Sequence, residues 1–84
     1  METVPLPHRE AINFVNDCKR KSAIILGMEQ LYKRGADLVL DNTNIVDFTM
    51  TSYETRDWSS DADLLLRYLW DEADHDALFV IVYE

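Results

Sequence analysis

The apolar positions of this chain change period several times, and each change predicts an element. After Pro7, the residues Ala11, Phe14, Val15 and Cys18 recur at helical spacing. Proline suits a first helical turn because its missing N–H would have no acceptor there. Glu10 near that start, and Lys19, Arg20 and Lys21 near the far end, both complement the helix dipole. The pattern predicts an amphipathic helix over about 7–20. Ala62, Leu65, Leu66, Leu69 and Ala73 form a second apolar stripe, predicting a helix over about 60–73. Ser60 with Asp63 three residues on resembles a capping box with Asp in place of Glu, and Asp61 adds favourable charge at the same end. Asp71, Glu72, Asp74 and Asp76 crowd the other end, where the dipole disfavours them. Local stability does not account for that placement.

Residues 77–83 are apolar on both alternating faces: Ala77, Phe79, Ile81 and Tyr83 on one, Leu78, Val80 and Val82 on the other. Such a strand belongs inside a sheet whose two faces are covered, by helices from opposite sides or by a second copy on one face. The run Ala23-Ile24-Ile25-Leu26 suits a strand over about 22–28. Met28, Leu31 and Tyr32 then continue a helical period, and Lys33-Arg34-Gly35 resembles a helix end, so a turn or short helix is expected to finish at Gly35. Residues 37–41 alternate, Asn42-Thr43-Asn44 are turn formers, and residues 45–51 set Val46, Phe48 and Met50 on one face. That reads as a hairpin turning at 42–44, with Asp47, Thr49 and Thr51 on its polar face. The expected class is α+β: a small, mostly antiparallel sheet of three to four strands flanked by two main helices, with the C-terminal strand central.

Length makes this a single domain. A chain of 84 residues buries only about 60–65% of its unfolded surface, so the core must be compact. The hydrophobic content of 48% is that of a globular protein. Cys18 is the one cysteine; it excludes an internal disulfide and falls on the buried face of the first helix, as a core thiol does. The opening METVPLPHRE has no apolar core of signal-peptide type, and the longest apolar run is too short to span a bilayer as a helix. A cytoplasmic protein is expected.

Charge changes the picture most. Residues 1–36 hold four acids and six bases, or +2; residues 37–84 hold twelve acids and two bases, or −10, for the net −8 of the chain. A surface of that sign is a poor match for nucleic acid or an anionic membrane. It complements a cationic protein, whose approach the field accelerates. Catalysis has little to work with: His8 and His75 are the only histidines, neither has a serine or cysteine neighbour in a nucleophile motif, and no enzyme activity is expected. The run Asp71-Glu72-Ala73-Asp74-His75-Asp76 lacks the calcium-loop glycine and a second histidine for zinc. It reads as a solvated helix end, and no metal or other cofactor is expected.

The candidate contact surface is residues 47–63, where five carboxylates (Asp47, Glu54, Asp57, Asp61, Asp63) alternate with Phe48, Tyr53 and Trp58. Carboxylates can take the places of phosphates against Arg and Lys, and rings the places of stacked bases. Asp61 and Asp63 also serve the helix start, which leaves Asp47, Tyr53, Glu54, Asp57 and Trp58 as the foremost partner-binding candidates. Trp58 is either a buried anchor or an interface anchor. Trp70, beside the second apolar stripe, is expected in the core or at its edge.

Ala11-Ile12 and Asn16 in the first helix, its basic end, Ile25-Leu26-Gly27, the polar hairpin, the acidic region at 47–58, the late helix and the closing Phe79-Val80-Ile81-Val82 occur in this order. In ordering and length the chain resembles the small immunity proteins that neutralise the anticodon-cutting colicin of the E group and related contact-dependent tRNase toxins. The resemblance covers most of the chain. It implies a small sheet flanked by helices and tight binding over a basic tRNase toxin's active-site groove, in imitation of tRNA. Glu29-Gln30 departs from the family, which has a more glycine-rich turn after the first strand. Two other functions share the same features: a phage-encoded nucleic-acid mimic that blocks a host defence or repair protein, and a small regulatory interaction domain that forms a homodimer.

Overall fold

The computed structural model describes residues 1–48 and 58–84, with residues 42–44 and 58 described by their backbone alone. A two-residue strand, Leu6–Pro7 (β1), leads directly into the helix His8–Arg20 (α1). The strands Ile25–Arg34 (β2) and Asp37–Asp47 (β3) follow, then the helix Trp58–Asp71 (α2) and the strand Leu78–Tyr83 (β4). The four described strands form one antiparallel sheet in the order β1-β4-β2-β3. The C-terminal strand is central, as its two apolar faces require.

The first helix forms as its spacing predicts. Ala11, Ile12, Val15 and Cys18 are buried along one face, and Phe14 sets its ring edge-on to Tyr83 at 5.1 Å. Pro7 plays two parts: it is the N-cap of α1 and pairs with Leu78 as the last residue of β1, an edge-strand position that tolerates a missing N–H. At the other end Ser22 N–H reaches the Lys19 carbonyl and Ala23 N–H the Cys18 carbonyl. These are the two bonds of a Schellman motif. Ser22 takes the left-handed position, at φ 55°, that glycine fills at least cost.

The hairpin departs from the sequence expectation. β2 runs unbroken to Arg34, so residues 28–35 contain no helix, and Glu29-Gln30 continues the strand. The chain reverses at Gly35-Ala36, between the paired Arg34 and Asp37. Gly35 has φ 64°, the first central position of a type II′ turn, where a glycine is needed. Asn42-Thr43-Asn44 do not turn the chain; they lie within β3. Leu31 pairs with Leu40 but Glu29 with Ile45, so β3 spends five residues where β2 spends two. The turn-forming residues are absorbed in a bulge, which bends and twists the strand. Gly27 marks a second close approach: a Cβ there would overlap the Val46 carbonyl oxygen.

Both helices cover the same face of the sheet. Ala11, Val15, Leu65, Leu69, Phe79 and Ile81 belong to one buried cluster, and Lys19 Nζ meets Asp63 Oδ1 at 2.6 Å across α1 and α2. That exposed ion pair adds little to stability. Cover by helices from opposite sides is therefore not the arrangement found among the described residues. On the far face, Leu78 pairs with Leu31 and Leu31 with Leu40, while Leu38, Leu40 and Ile45 stay 38–46% exposed. An unexpected addition is the segment before β1: Thr3 N–H donates to the Ile81 carbonyl and Tyr83 N–H to that of Met1, extending the pairing along β4. Among the described residues no helix is long and apolar enough to cross a membrane.

Candidate functional site

Of the residues that the sequence grouped, the structure describes a part. Asp47 is exposed at the end of β3, opposite Gly27, and Phe48 beside it is buried in the core. Asp61 lies in the first turn of α2, half-buried, and Asp63 is held by Lys19. Thr49, Met50, Thr51, Tyr53, Glu54 and Asp57 lie outside the described residues, and Trp58 is described only as the first residue of α2. Because α2 begins at Trp58, Ser60 sits inside its first turn and is not the N-cap that the capping-box reading made it. The apolar stripe of that helix is as expected: Ala62, Leu65 and Leu69 are buried and Ala73 follows them into the core.

Trp70 is not in the core. It is 61% exposed, its ring edge-on to His8 at 6.1 Å. His8 takes the place beneath it: Nε2 donates to the Leu69 carbonyl at 2.5 Å, so that nitrogen carries the proton. This bond satisfies one of the carbonyls that the end of a helix leaves without an intrahelical donor. The other face of the His8 ring stacks on His75 at 3.9 Å. The two histidines thus tie the start of α1 to the turn after α2.

A cleft of about 310 Å³ that no motif along the chain announces opens between α2 and β3. Val46, Leu65 and Tyr68 form its apolar wall, Leu64 stands 52% exposed at its side, and Arg67, Asp71 and Glu72 stand at its rim. Behind the wall lies Gln30, only 1% exposed. Tyr68 Oη–H donates to Gln30 Oε1 at 3.1 Å, Gln30 Nε2 donates to Tyr32 Oη, and the Tyr32 hydroxyl is hydrogen-bonded to Asp41. A buried amide is tolerable only when both ends are satisfied; here two phenols satisfy it and a carboxylate ends the chain. Asp41 follows Leu40, which pairs with Leu31, so strand alternation sets it on the same face as Gln30 and Tyr32.

This network responds to base. Burial raises the pKa of the Tyr68 hydroxyl, and Tyr32, Asp41 and Glu72 raise it further. Burial also raises Tyr32, with Asp41 and Asp74 in the same direction and the Gln30 bond against it. Burial, then Asp17, raises the Cys18 thiol, with Lys21 opposing. All three groups are neutral when protonated and hold their protons more tightly folded than unfolded. Their stabilisation is complete below the unfolded pKa values, about 8.5 for cysteine and 10 for tyrosine, and is lost as pH rises through the higher folded values. The urea midpoint is expected to hold level from pH 7 to about 8.5 and to fall beyond. In Tyr68→Phe the fall above about pH 10 should be shallower; an identical profile would show that Tyr68 does not contribute.

Among the described residues the ion pairs are Lys19–Asp63 and Arg20–Asp17. Neither involves Arg67, Asp71, Glu72, Asp74 or Asp76, all exposed. The acidic end of α2 and the turn after it therefore face solvent beside the cleft, with Trp70 exposed on the same helix. Comparison with protein-family models, with curated proteins and with solved structures returned no match.

Proposed function

We propose that this protein is an acidic inhibitor of the immunity type, which binds a basic nuclease toxin in the cytoplasm and blocks it by occupying its nucleic-acid groove. A tRNase of the anticodon-cutting kind is the toxin the resemblance implies. The observation that carries this reading is the −10 charge of residues 37–84. Exposed carboxylates at the end of α2 support it, because the dipole disfavours acids there and a fold alone would not select them. Such a surface steers a cationic groove into contact and rejects anionic partners. The contact residues of the reading are Asp47, Tyr53, Glu54, Asp57 and Trp58, with Asp61 and Asp63 behind them at the helix start.

The test is capture with the intact chain as bait, identification of the captured protein, and a tRNA-cleavage assay. The captured protein should cut tRNA alone and stop cutting when one equivalent of this chain is added. A captured protein with no nuclease activity, or one that keeps cutting in the complex, overturns the reading. A phage mimic would use the same surface on a different groove, and the captured protein's identity distinguishes it. A second reading, a homodimeric interaction domain, is favoured by Leu38, Leu40 and Ile45 on the helix-free face of the sheet. Light scattering on the purified chain separates a mass of 9.8 kDa from twice that value.

A further inference from the structure

The cleft between α2 and β3 has the chemistry of a receptor for one basic side chain. Its volume of about 310 Å³ is at the bottom of the range of small-molecule sites, roughly 300–1,000 Å³, which suits a single side chain better than a folded element or a large ligand. An arginine is apolar along its methylenes and cationic at a planar head. The cleft matches both parts: Val46, Leu65 and Tyr68 offer a wall for the stem, and Asp71 and Glu72 stand at the rim for the head. Asp41 adds negative potential at the wall, since it acts on Tyr68. Arg67 is the opposing charge at the same rim, and one cation against three carboxylates leaves the site negative.

We propose that this cleft takes up an arginine side chain of the basic partner, the stem against Val46, Leu65 and Tyr68 and the guanidinium between Asp71 and Glu72. The proposal deepens the inhibitor reading and rests on it for the identity of the partner, though not for the chemistry of the pocket. It places a contact beyond the acidic segment at 47–58, at the end of α2 opposite Trp58. The Tyr68–Gln30–Tyr32–Asp41 chain then acts as a brace: it fixes the ring that forms the wall, so the pocket does not have to be ordered when the arginine enters.

The test uses the whole chain labelled with nitrogen-15 and N-acetyl-arginine amide as the probe, followed by amide chemical shifts at low salt. Saturable shifts are expected at Val46, Leu64, Leu65, Tyr68, Asp71 and Glu72. N-acetyl-citrulline amide, which keeps the shape and loses the charge, should give none. The double variant Asp71→Asn, Glu72→Gln should bind the arginine probe about tenfold or more weakly while its thermal midpoint stays level or rises. Shifts spread over every acidic surface, equal shifts with citrulline, or unchanged binding in the double variant would each overturn the pocket. The outcomes separate from those of the inhibitor reading. A saturable pocket in a chain that captures no nuclease sinks that reading and keeps the pocket. A captured nuclease held equally well by the double variant sinks the pocket alone.

Discussion

Replacing Phe79 by alanine is expected to remove about 3–5 kcal/mol of folding stability. Phe79 is fully buried in the inner strand β4. It pairs with Leu6 on one side and Gln30 on the other, and its ring lies 6.0 Å from that of His8. Its removal therefore opens a cavity where β1, β4, β2 and the start of α1 meet, and no single element can collapse to fill it. Domains hold about 0.05–0.15 kcal/mol of stability per residue, or roughly 4–13 kcal/mol for a chain this short. The loss is thus a large share of the total. Phe79→Leu keeps most of the volume and should cost well under half as much. Urea unfolding by circular dichroism measures both. A loss below about 1 kcal/mol for the alanine variant would show that β4 is not the centre of the core.

The elements legible in the sequence are those whose information is local. Ala62, Leu65 and Leu69 announce a helix because one face recurs every three or four residues, and residues 78–83 announce a buried strand because both faces are apolar. The hairpin turn lies away from its turn-forming residues for a physical reason. Asn42-Thr43-Asn44 have the chemistry of a turn, but a bulge makes similar demands on the backbone, and only the register of β2 against β3 decides between them. Gly35 suits a helix end as well as the turn it makes, because both positions need the same left-handed φ. Gln30 gave no signal at all, because a buried amide is permitted by partners two and thirty-eight residues away. Trp70 lies at the border of the α2 stripe, and its ring stands edge-on to His8 and exposed. The cleft is assembled from β3 and α2, and periodicity within either element does not reveal a space between them.

A variant carrying Asp71→Lys and Glu72→Lys is expected to fold better and to bind worse. The last turn of α2 contains no basic residue, and a cation there interacts favourably with the helix dipole by about 0.3–1 kcal/mol. The same two changes shift the local charge by four units on the surface that is proposed to attract a cationic partner. Association with that partner should slow by about tenfold or more at low salt, with a weaker salt dependence than the parent chain. For the parent, raising ionic strength from about 0.01 to 0.15 M shortens the screening length from roughly 30 to 8 Å, and the association rate should fall steeply over that interval. Stopped-flow mixing measures the rate, and urea unfolding the stability. Reversal of Asp61 would be less informative, because that residue supports the start of α2 and its loss would disturb folding and binding together. At Asp71 and Glu72 the two effects have opposite signs, so slower capture by a more stable protein cannot be a consequence of misfolding. An unchanged rate in this variant would remove the end of α2 from the binding surface and return the search to the segment between Asp47 and Trp58.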